Sequence, residues 1–502
     1  MVIDFARILL FFDGQVDMEI NSQMDNETDI AKNDMDVALK RLDKPSQGLL
    51  NAVVLLLGVV IALKDFWSRY DIQFIVYWSI LAIGAFTILF CVIRCRLYKS
   101  IIFISIVLFY CLAWVSAIFE YGFSFGFVFS GFCCTGVAAT AICYVVQTVR
   151  NPKRLTSLFT AVFTLVNSGI CTMALISATR SLFFEVPPQD ILLGCMTGNR
   201  LCGVGNSNTL ASSAASLMLL SGCGLFGSGK KARPLFTASL LLGWFTLGMT
   251  GSRTSQIGVS FSVSVMVFSV VLSKLREKSE SNNSKFLLLI CLKAVALSVL
   301  SFALSFLSFS IPTLIFRGVL LITAKISNNS FLLNNLLGLS PRDLEDDGTM
   351  NGRIQIWTQC IKDCTADVRH FLFGISTENR TWIAIKDGDR VITYIHSHNI
   401  VLEWLRKFGV VGTVIWMIPL FYWIRKGVRT LFRGERLEDR FIAASAAGML
   451  VMGIAEVVPY YTGYNCLLVA PFFFICGYCI RINGDGLGRC CETISNEPQV
   501  EL

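Results

Sequence analysis

The feature that most constrains this chain is a succession of about twelve apolar runs, most of them near the ~20 residues that a helix needs to cross a bilayer. Hydrophobic residues make up 54% of the 502 residues and charged residues only 16%, whereas a soluble protein carries about a quarter charged residues. We therefore predict an all-α, polytopic integral membrane protein with about twelve transmembrane helices. The runs lie near residues 49–63, 74–93, 100–119, 123–147, 155–177, 208–226, 235–250, 255–273, 286–310, 409–424, 441–458 and 464–481.

Clusters of Lys and Arg occupy every second connection between these runs. Because cytoplasmic loops carry an excess of basic residues, both termini are predicted to be cytoplasmic. The polar segment 311–398, between the ninth and tenth runs, then becomes one large extracytoplasmic loop. These clusters also account for most of the positive charge behind the formal net charge of +8, so no nucleic acid partner is needed to explain it. They comprise Arg94, Arg96 and Lys99; Arg150, Lys153 and Arg154; Lys230, Lys231 and Arg233; Lys274, Arg276, Lys278 and Lys285; and Arg425, Lys426, Arg429, Arg433, Arg436 and Arg440.

Four segments follow from this pattern. Residues 1–48 include an acid-rich stretch with few apolar residues, which favours a disordered cytoplasmic tail. Residues 49–194 hold the first runs, which carry almost no charge and are predicted to form a transmembrane scaffold. Residues 195–481 hold the polar motifs considered next. Residues 482–502 are predicted to be a cytoplasmic C-terminal tail.

Cysteine is abundant, with 18 residues, most of them inside apolar runs where a thiol acts as a small hydrophobic side chain. We predict no metal site and no cofactor. Cys195 and Cys202 share an outer loop, and at this point a disulfide and two free thiols both remain open. Cys360 and Cys364 are spaced i, i+4, which favours one packed helix face over a bond between them.

The first polar motif precedes the sixth run and reads Arg200-x-x-Gly203 followed by Asn206-x-Asn208. Either asparagine can cap the helix that follows. The helix N-terminus would then point its free N–H groups outward, where an anion beside Arg200 is favoured. The alternative is an ordinary turn and helix cap.

The second motif, Thr250-Gly-Ser-Arg253, is a tight outer turn between the seventh and eighth runs. An arginine at the membrane surface is unfavourable unless its side chain extends to water or binds an anion. Extension to water is the simpler interpretation of Arg253 taken alone.

The third motif lies in the outer segment and begins with Gly352-Arg353-x-x-x-Trp357. The spacing of Ile354, Trp357 and Ile361 predicts a helix with one apolar stripe. Phe371-Leu-Phe-Gly374 is typical of a close-packed turn.

The segment ends in a short predicted strand, Val391 to Ile395, and then His396-Ser-His398-Asn399. If this stretch is extended, the two histidines point to the same side. Apolar residues after Asn399 predict a helix at the membrane interface before the tenth run.

Taken in order and on one predicted side of the membrane, the three motifs resemble the O-antigen ligase and polymerase superfamily of membrane glycosyltransferases. The resemblance covers roughly residues 195 to 475, within a predicted catalytic region of 195–481. The chain departs from the family pattern in lacking its GxG form in the outer loop and in placing Ser207 where a proline is common.

The resemblance implies a fold like that of C-type (GT-C) glycosyltransferases in a bacterial inner membrane. The donor would be a glycan on undecaprenyl diphosphate and the acceptor a sugar hydroxyl of a glycan or glycolipid, joined without a metal and with inversion of the anomeric centre. His398 matches the family's histidine position, and an imidazole is suited to accept the hydroxyl proton. Arg200, Arg253 and Arg353 would bind the diphosphate, while His396 and Asn399 are candidates for orienting the acceptor. The alternative for His398 is a structural histidine bonded to backbone.

Two other classes of protein compete with this interpretation. A transporter or lipid-linked glycan flippase would place ionisable residues near the middle of the bilayer. Glu456, near the outer end of the eleventh run, comes closest to such a carboxylate, but it lies near the surface. A glycan-binding sensor is the other class, and it would not require arginines from three separate loops.

Overall fold

The computed structural model describes residues 44–64, 72–95, 101–121, 131–183, 194–197, 200–203, 206–277, 284–328, 352–375, 383–387, 390–394, 396–457 and 466–483. The predicted tails therefore lie largely outside the described residues. The first helix begins at Lys44, inside the segment predicted to be disordered, and the last described helix ends at Ile482.

The described part of the chain is mostly helical. The first helices are α1 (Lys44–Ala62), α2 (Gln73–Cys95), α3 (Ile101–Tyr121), α4 (Gly131–Thr148) and α5 (Pro152–Phe183). A short antiparallel hairpin, β1 (Cys195–Thr197) and β2 (Arg200–Cys202), leads to α6 (Ser207–Gly227), α7 (Arg233–Thr250), α8 (Arg253–Glu277), α9 (Ser284–Ser308) and α10 (Ser310–Ile326).

The outer segment contributes α11 (Arg353–Cys364), α12 (Val368–Phe373) and a second antiparallel hairpin, β3 (Ile383–Asp387) and β4 (Arg390–Tyr394). The chain continues through α13 (Ile400–Arg433), α14 (Leu437–Met452), a 3-10 turn at Cys466–Leu468 and α15 (Val469–Ile482). The predicted outer loop therefore contains regular structure, since α10, α11, α12 and the second hairpin all fall between residues 310 and 394.

A described helix overlaps each of the predicted apolar runs. Within the described ranges, six helical stretches are long and apolar enough to cross a membrane, which agrees with a multi-pass membrane protein. The total of about twelve crossings and the direction of each remain predictions. The six are Phe74–Ile93, Pro152–Ser181, Ser207–Gly227, Arg253–Lys274, Leu288–Ile326 and Ile400–Arg433.

Small and hydroxyl-bearing residues pack the largely buried helix α6 against its neighbours. Asn167 of α5 accepts a hydrogen bond from Ser213 of α6 at 2.8 Å, and Gly222 of α6 faces the ring of Phe441 in α14. Small residues let helix backbones approach closely inside a bilayer, where interhelical hydrogen bonds also add stability. This packing places the N-terminus of α6 beside α14, whose C-terminal end leads to residue 456.

The thiols in the described spans fit the interpretation as packing groups. Cys476 and Cys479 do have the C-x-x-C spacing that zinc and redox sites use, but both are buried in α15. Among the described residues, no group of three or more His, Cys, Asp or Glu side chains gathers in a way that could hold a metal ion.

Helix α13 changes direction at Gly409, whose φ of 63° and ψ of −172° are not helical. The preceding part is the predicted interfacial helix, and the part after the break carries the tenth run. Gly374, with φ 74°, ends α12 against this break, and the N–H of Ile375 donates to the carbonyl of Arg406 at 2.9 Å. A β-carbon at Gly374 or Gly409 would overlap the opposing backbone. The close-packed turn expected at Gly374 is therefore present.

The apolar stripe predicted for α11 was wrong, although the helix itself is present. The buried side chains are Ile356, Cys360 and Cys364, whereas Ile354 is 51% exposed. Cys360 packs with Ile356 and Ile383, and burial raises its pKa to about 12. The cysteines therefore act as the apolar positions of this helix, as their i, i+4 spacing had suggested.

Helices α8 and α14 contact each other closely at glycine residues. Helix α8 begins at Arg253, and the end of α14 leads to Glu456. A β-carbon at Gly448 would overlap the hydroxyl of Ser262 and the backbone of Gly258. We expect Gly448→Ala to lower the thermal unfolding temperature in detergent, because overpacking a close backbone contact costs about 1–3 kcal/mol.

Gly427→Ala is the matched control, since no heavy atom lies within 4 Å of the β-carbon that it adds. Equal unfolding temperatures for the two variants would contradict this packing.

Candidate functional site at Glu456

Side chains from separate predicted motifs meet at one carboxylate, that of Glu456. Asn208 Nδ2 donates to Glu456 Oε1 at 2.8 Å, and Arg353 Nη2 donates to the same oxygen at 3.3 Å. Nδ1 of His398 lies 3.3 Å from the other oxygen, Oε2. Glu456 is only 5% exposed. We call Arg200, Asn208, Arg353, His398 and Glu456 the Glu456 cluster.

Arg200 is positioned by the first hairpin, where it follows the tip of the β1–β2 turn. Its Nη2 donates to Asn208 Oδ1 at 3.0 Å, and its Nε donates to the carbonyl of Thr250 at 2.8 Å. Asn206, not Asn208, caps α6, by accepting from the N–H of Thr209 at 2.9 Å. Asn208 is thereby left to bridge Arg200 and Glu456.

Arg253 follows directly after the turn that Arg200 contacts. Gly251 has a positive φ of 60°, which allows α7 to end and α8 to begin within two residues. Arg253 is the first residue of α8 and is exposed. The hydrogen bond from Arg200 to Thr250 thus links the first and second motifs, with Arg253 three positions further along the chain.

Arg353 begins α11, directly after Gly352, which has a φ of 73°. Its side chain is 17% exposed, while that of Glu456 is 6% exposed. A partly buried guanidinium beside a buried carboxylate forms an ion pair that is screened less than a surface pair. The side chain of Arg353 is therefore more exposed than the carboxylate with which it pairs.

His398 adopts the left-handed backbone region, with φ 51°, so the expected extended path from His396 to His398 was wrong. The two rings nevertheless contact each other, with centroids 4.2 Å apart. Burial, followed by the neighbouring His398 ring, lowers the pKa of His396 to about 4. His396 is therefore neutral at physiological pH.

Asn399 has a structural task in this arrangement. Its Oδ1 accepts from the N–H groups of Val401 and Leu402 at 3.0 Å, and its Nδ2 donates to the carbonyl of Ile454 at 2.9 Å. Both polar ends of the side chain are used in capping α13 and tying it to the turn after α14. The predicted acceptor-orienting role of Asn399 receives no support from these contacts.

Glu456 is the residue whose importance the sequence did not reveal. Helix α14 ends at Met452, before the predicted end of the run at residue 458, so Glu456 lies in the turn beyond the helix. Burial alone would raise its pKa, but the hydrogen bond with His398, the charges that His398 and His396 carry when protonated in acid, and the charge of Arg353 lower the pKa below its ordinary value. The carboxylate is therefore held in its ionised form. The available sequence signal was a single acidic residue at the end of an apolar run.

Cys195 and Cys202 are directly paired across the two strands of the first hairpin, and no disulfide joins them. Their pairing aligns the strands that hold Arg200 at the hairpin tip. Cys202 donates weakly to the carbonyl of Arg200, with a sulfur to oxygen distance of 3.8 Å.

The fold and the cluster define a multi-pass membrane protein with a polar, cation-rich site assembled from loops and helix ends. Residues 238–417 match the sequence model of the O-antigen ligase family. This match confirms the resemblance to the O-antigen ligase and polymerase superfamily and indicates a glycosyltransferase-like enzyme. The matched region includes Arg253, Arg353 and His398, while Arg200 and Glu456 lie outside it. No curated protein matches the sequence.

The low pKa of His396 makes an acid-stability test possible. Unfolded histidine binds a proton below about pH 6.5, whereas His396 in the folded protein does so only below about 4. The folded state therefore loses stability as the pH falls through this window. We expect His396→Gln to remove that part of the loss, so its unfolding temperature in detergent should fall less between about pH 6.5 and about pH 4.5.

Gly427→Ala serves as the control, because it removes no titratable group and no heavy atom lies within 4 Å of the β-carbon that it adds, so it should keep the wild-type slope. A wild-type slope in His396→Gln would contradict the burial of this ring.

Proposed function

We propose that the protein is a glycosyltransferase of the bacterial inner membrane, with cytoplasmic termini and the Glu456 cluster on the outer face. Its donor is a glycan carried on undecaprenyl diphosphate, and its acceptor is a sugar hydroxyl of a glycan or glycolipid. The observation that carries the proposal is the convergence of Asn208, Arg353 and His398 on Glu456. This convergence supports a site with a cationic side, formed by the arginines, and a base side, formed by His398.

The cationic side suits a diphosphate. Arg200, Arg253 and Arg353 bring three positive charges and Glu456 brings one negative charge, which leaves a surplus for an anionic lipid diphosphate. Arginine presents a fixed fork of donors to phosphate oxygens and stays protonated. In our proposal these side chains stabilise the negative charge that develops on the leaving diphosphate, without a metal ion or cofactor.

The base side suits activation of a hydroxyl. With Glu456 ionised, the Nδ1 of His398 carries a proton toward Oε2, so Nε2 has its lone pair available. The acceptor oxygen attacks the anomeric carbon of the donor while its proton passes to Nε2. The bond from that carbon to the phosphate oxygen breaks, and undecaprenyl diphosphate leaves with the electron pair. Glu456 then stabilises the imidazolium that has formed.

His396 completes the proposed acceptor side. Its ring contacts that of His398 and is neutral, so it can exchange hydrogen bonds with a sugar hydroxyl without adding charge. A ligase would use lipid A–core as its acceptor, whereas a polymerase would use another lipid-linked repeat. The length of the product separates these two possibilities.

The transporter alternative finds less support. A transport carboxylate is expected near the middle of the bilayer. Glu456 instead follows the end of α14 and is bound by residues of the first and third motifs. Its partners are those expected of a transferase site.

Transfer activity should depend on His398 and not on His370. We expect His398→Ala to lower the turnover rate by about 10²- to 10⁴-fold, because general base catalysis contributes that much. The assay uses purified protein, a lipid-diphosphate glycan donor and candidate acceptor sugars in metal-free buffer.

His370→Ala removes a histidine of the same outer segment and should retain wild-type turnover. Undiminished transfer by folded His398→Ala protein would remove this residue as the general base.

Replacing Glu456 with glutamine should test the orientation of His398. The amide of Glu456→Gln donates a hydrogen to Nδ1, which favours the tautomer with its proton on Nε2 and removes the acceptor for the hydroxyl proton. We expect turnover to fall by about 100-fold or more. The KM for the donor should not rise, because all three arginines remain and a negative charge is removed.

Glu438→Gln is the matched control, since Glu438 is also a buried, arginine-paired carboxylate but lies beside Arg436 at the start of α14. A large rise in donor KM with unchanged turnover in Glu456→Gln would assign the carboxylate to donor binding instead.

A further inference from the structure

The backbone at His398 is held in a conformation that side chains rarely adopt. Its φ of 51° lies in the left-handed region, where residues other than glycine are uncommon and persist when their surroundings fix them. The ring of His398 reaches Glu456 from this backbone position. Whatever fixes the preceding peptide therefore decides where the ring points.

The preceding peptide joins the carbonyl of Ser397 to the N–H of His398, and Ser397 is completely buried. Its N–H donates to Oε2 of Glu403 at 2.9 Å, and its carbonyl accepts from the indole Nε1 of Trp357 at 3.0 Å. The Ser397 hydroxyl donates to the carbonyl of Asn399 at 2.7 Å. Ser397 is thus held at both its N–H and its carbonyl oxygen, in the peptide units on either side of its Cα, by side chains of α13 and α11.

Glu403 is a buried carboxylate in the first turn of α13 and is 5% exposed. One turn further along, Arg406 is 1% exposed, and its Nη1 lies 3.7 Å from Glu403 Oε1. Burying such a pair carries a large desolvation penalty, and an apolar pair is often at least as stable. Stability alone is therefore a weak reason for a carboxylate at this position. Its second oxygen is the one that accepts from Ser397.

We infer that Glu403 is a positioning residue for His398. By accepting the N–H of Ser397, it fixes the peptide unit before Ser397, while Trp357 holds the unit before His398, so that Nδ1 meets Glu456 and Nε2 faces the acceptor. Arg406 balances the charge of Glu403. The expected effect on turnover rests on the proposed function. The positioning of His398 rests on the contacts of Ser397.

The test compares two double variants that have the same charge and nearly the same shape. Both remove the buried ion pair, as Glu403→Gln with Arg406→Met and as Glu403→Met with Arg406→Met. Only the glutamine retains an oxygen that can accept from Ser397. We expect the glutamine variant to keep most of the wild-type turnover and the methionine variant to lose about 10- to 100-fold, the effect of a slightly misplaced catalytic group. The donor KM should be the same in both.

A second readout does not depend on transfer. The chain has only three histidines, so ring ¹⁵N spectra of histidine-labelled protein can report the tautomer of each ring. Wild type and the glutamine variant should show His398 with its proton on Nδ1. The methionine variant should lose that signature while His370 is unchanged. His398→Ala and His370→Ala assign the signals.

Equal turnover and equal His398 tautomers in the two double variants would overturn the inference. If wild type transfers no glycan but the tautomer changes only in the methionine variant, the positioning by Glu403 stands and the proposed function falls. If wild type transfers glycan and the tautomers are equal, the proposed function stands and the positioning role falls.

Discussion

The structure depends on one buried carboxylate that must be paired. Glu456 is ionised at the edge of an apolar helix bundle, where an unpaired charge would be strongly unfavourable. Its partners come from residues 208, 353 and 398, which are far apart in the sequence. Satisfying this one group therefore fixes the relative positions of α6, α11 and the start of α13.

The remaining contacts bring the other motifs to the same place. The first hairpin positions Arg200 so that its Nε donates to the carbonyl of Thr250, three residues before Arg253 in the chain. Asn399 joins the start of α13 to the turn that bears Glu456 through its bond to Ile454. The histidine side and the arginine side are consequently parts of one connected network. Our account of transfer requires this connection, because proton acceptance from the acceptor and stabilisation of the donor's leaving group must occur in the same transfer step.

The sequence predicted those features that depend on local or averaged properties. Apolar run length gave the helices, the asparagines before α6 indicated a cap, and Gly374 indicated a close turn. Features that depend on contacts between distant residues were missed or misjudged. Glu456 was considered only as a carboxylate of a transporter, because its partners lie in other motifs. The apolar stripe of α11 was assigned to Ile354, Trp357 and Ile361, although the spacing of Cys360 and Cys364 already indicated the packed face.

The most direct test of the central claim is the stoichiometry of a single turnover by wild-type protein in the presence of a metal chelator. Purified protein would be mixed with a lipid-diphosphate glycan donor and an acceptor sugar, and both products would be quantified. The account predicts one free lipid diphosphate for each new glycosidic bond, with no dependence on divalent metal. Transfer only with added metal, or release of the lipid without a new bond, would contradict it.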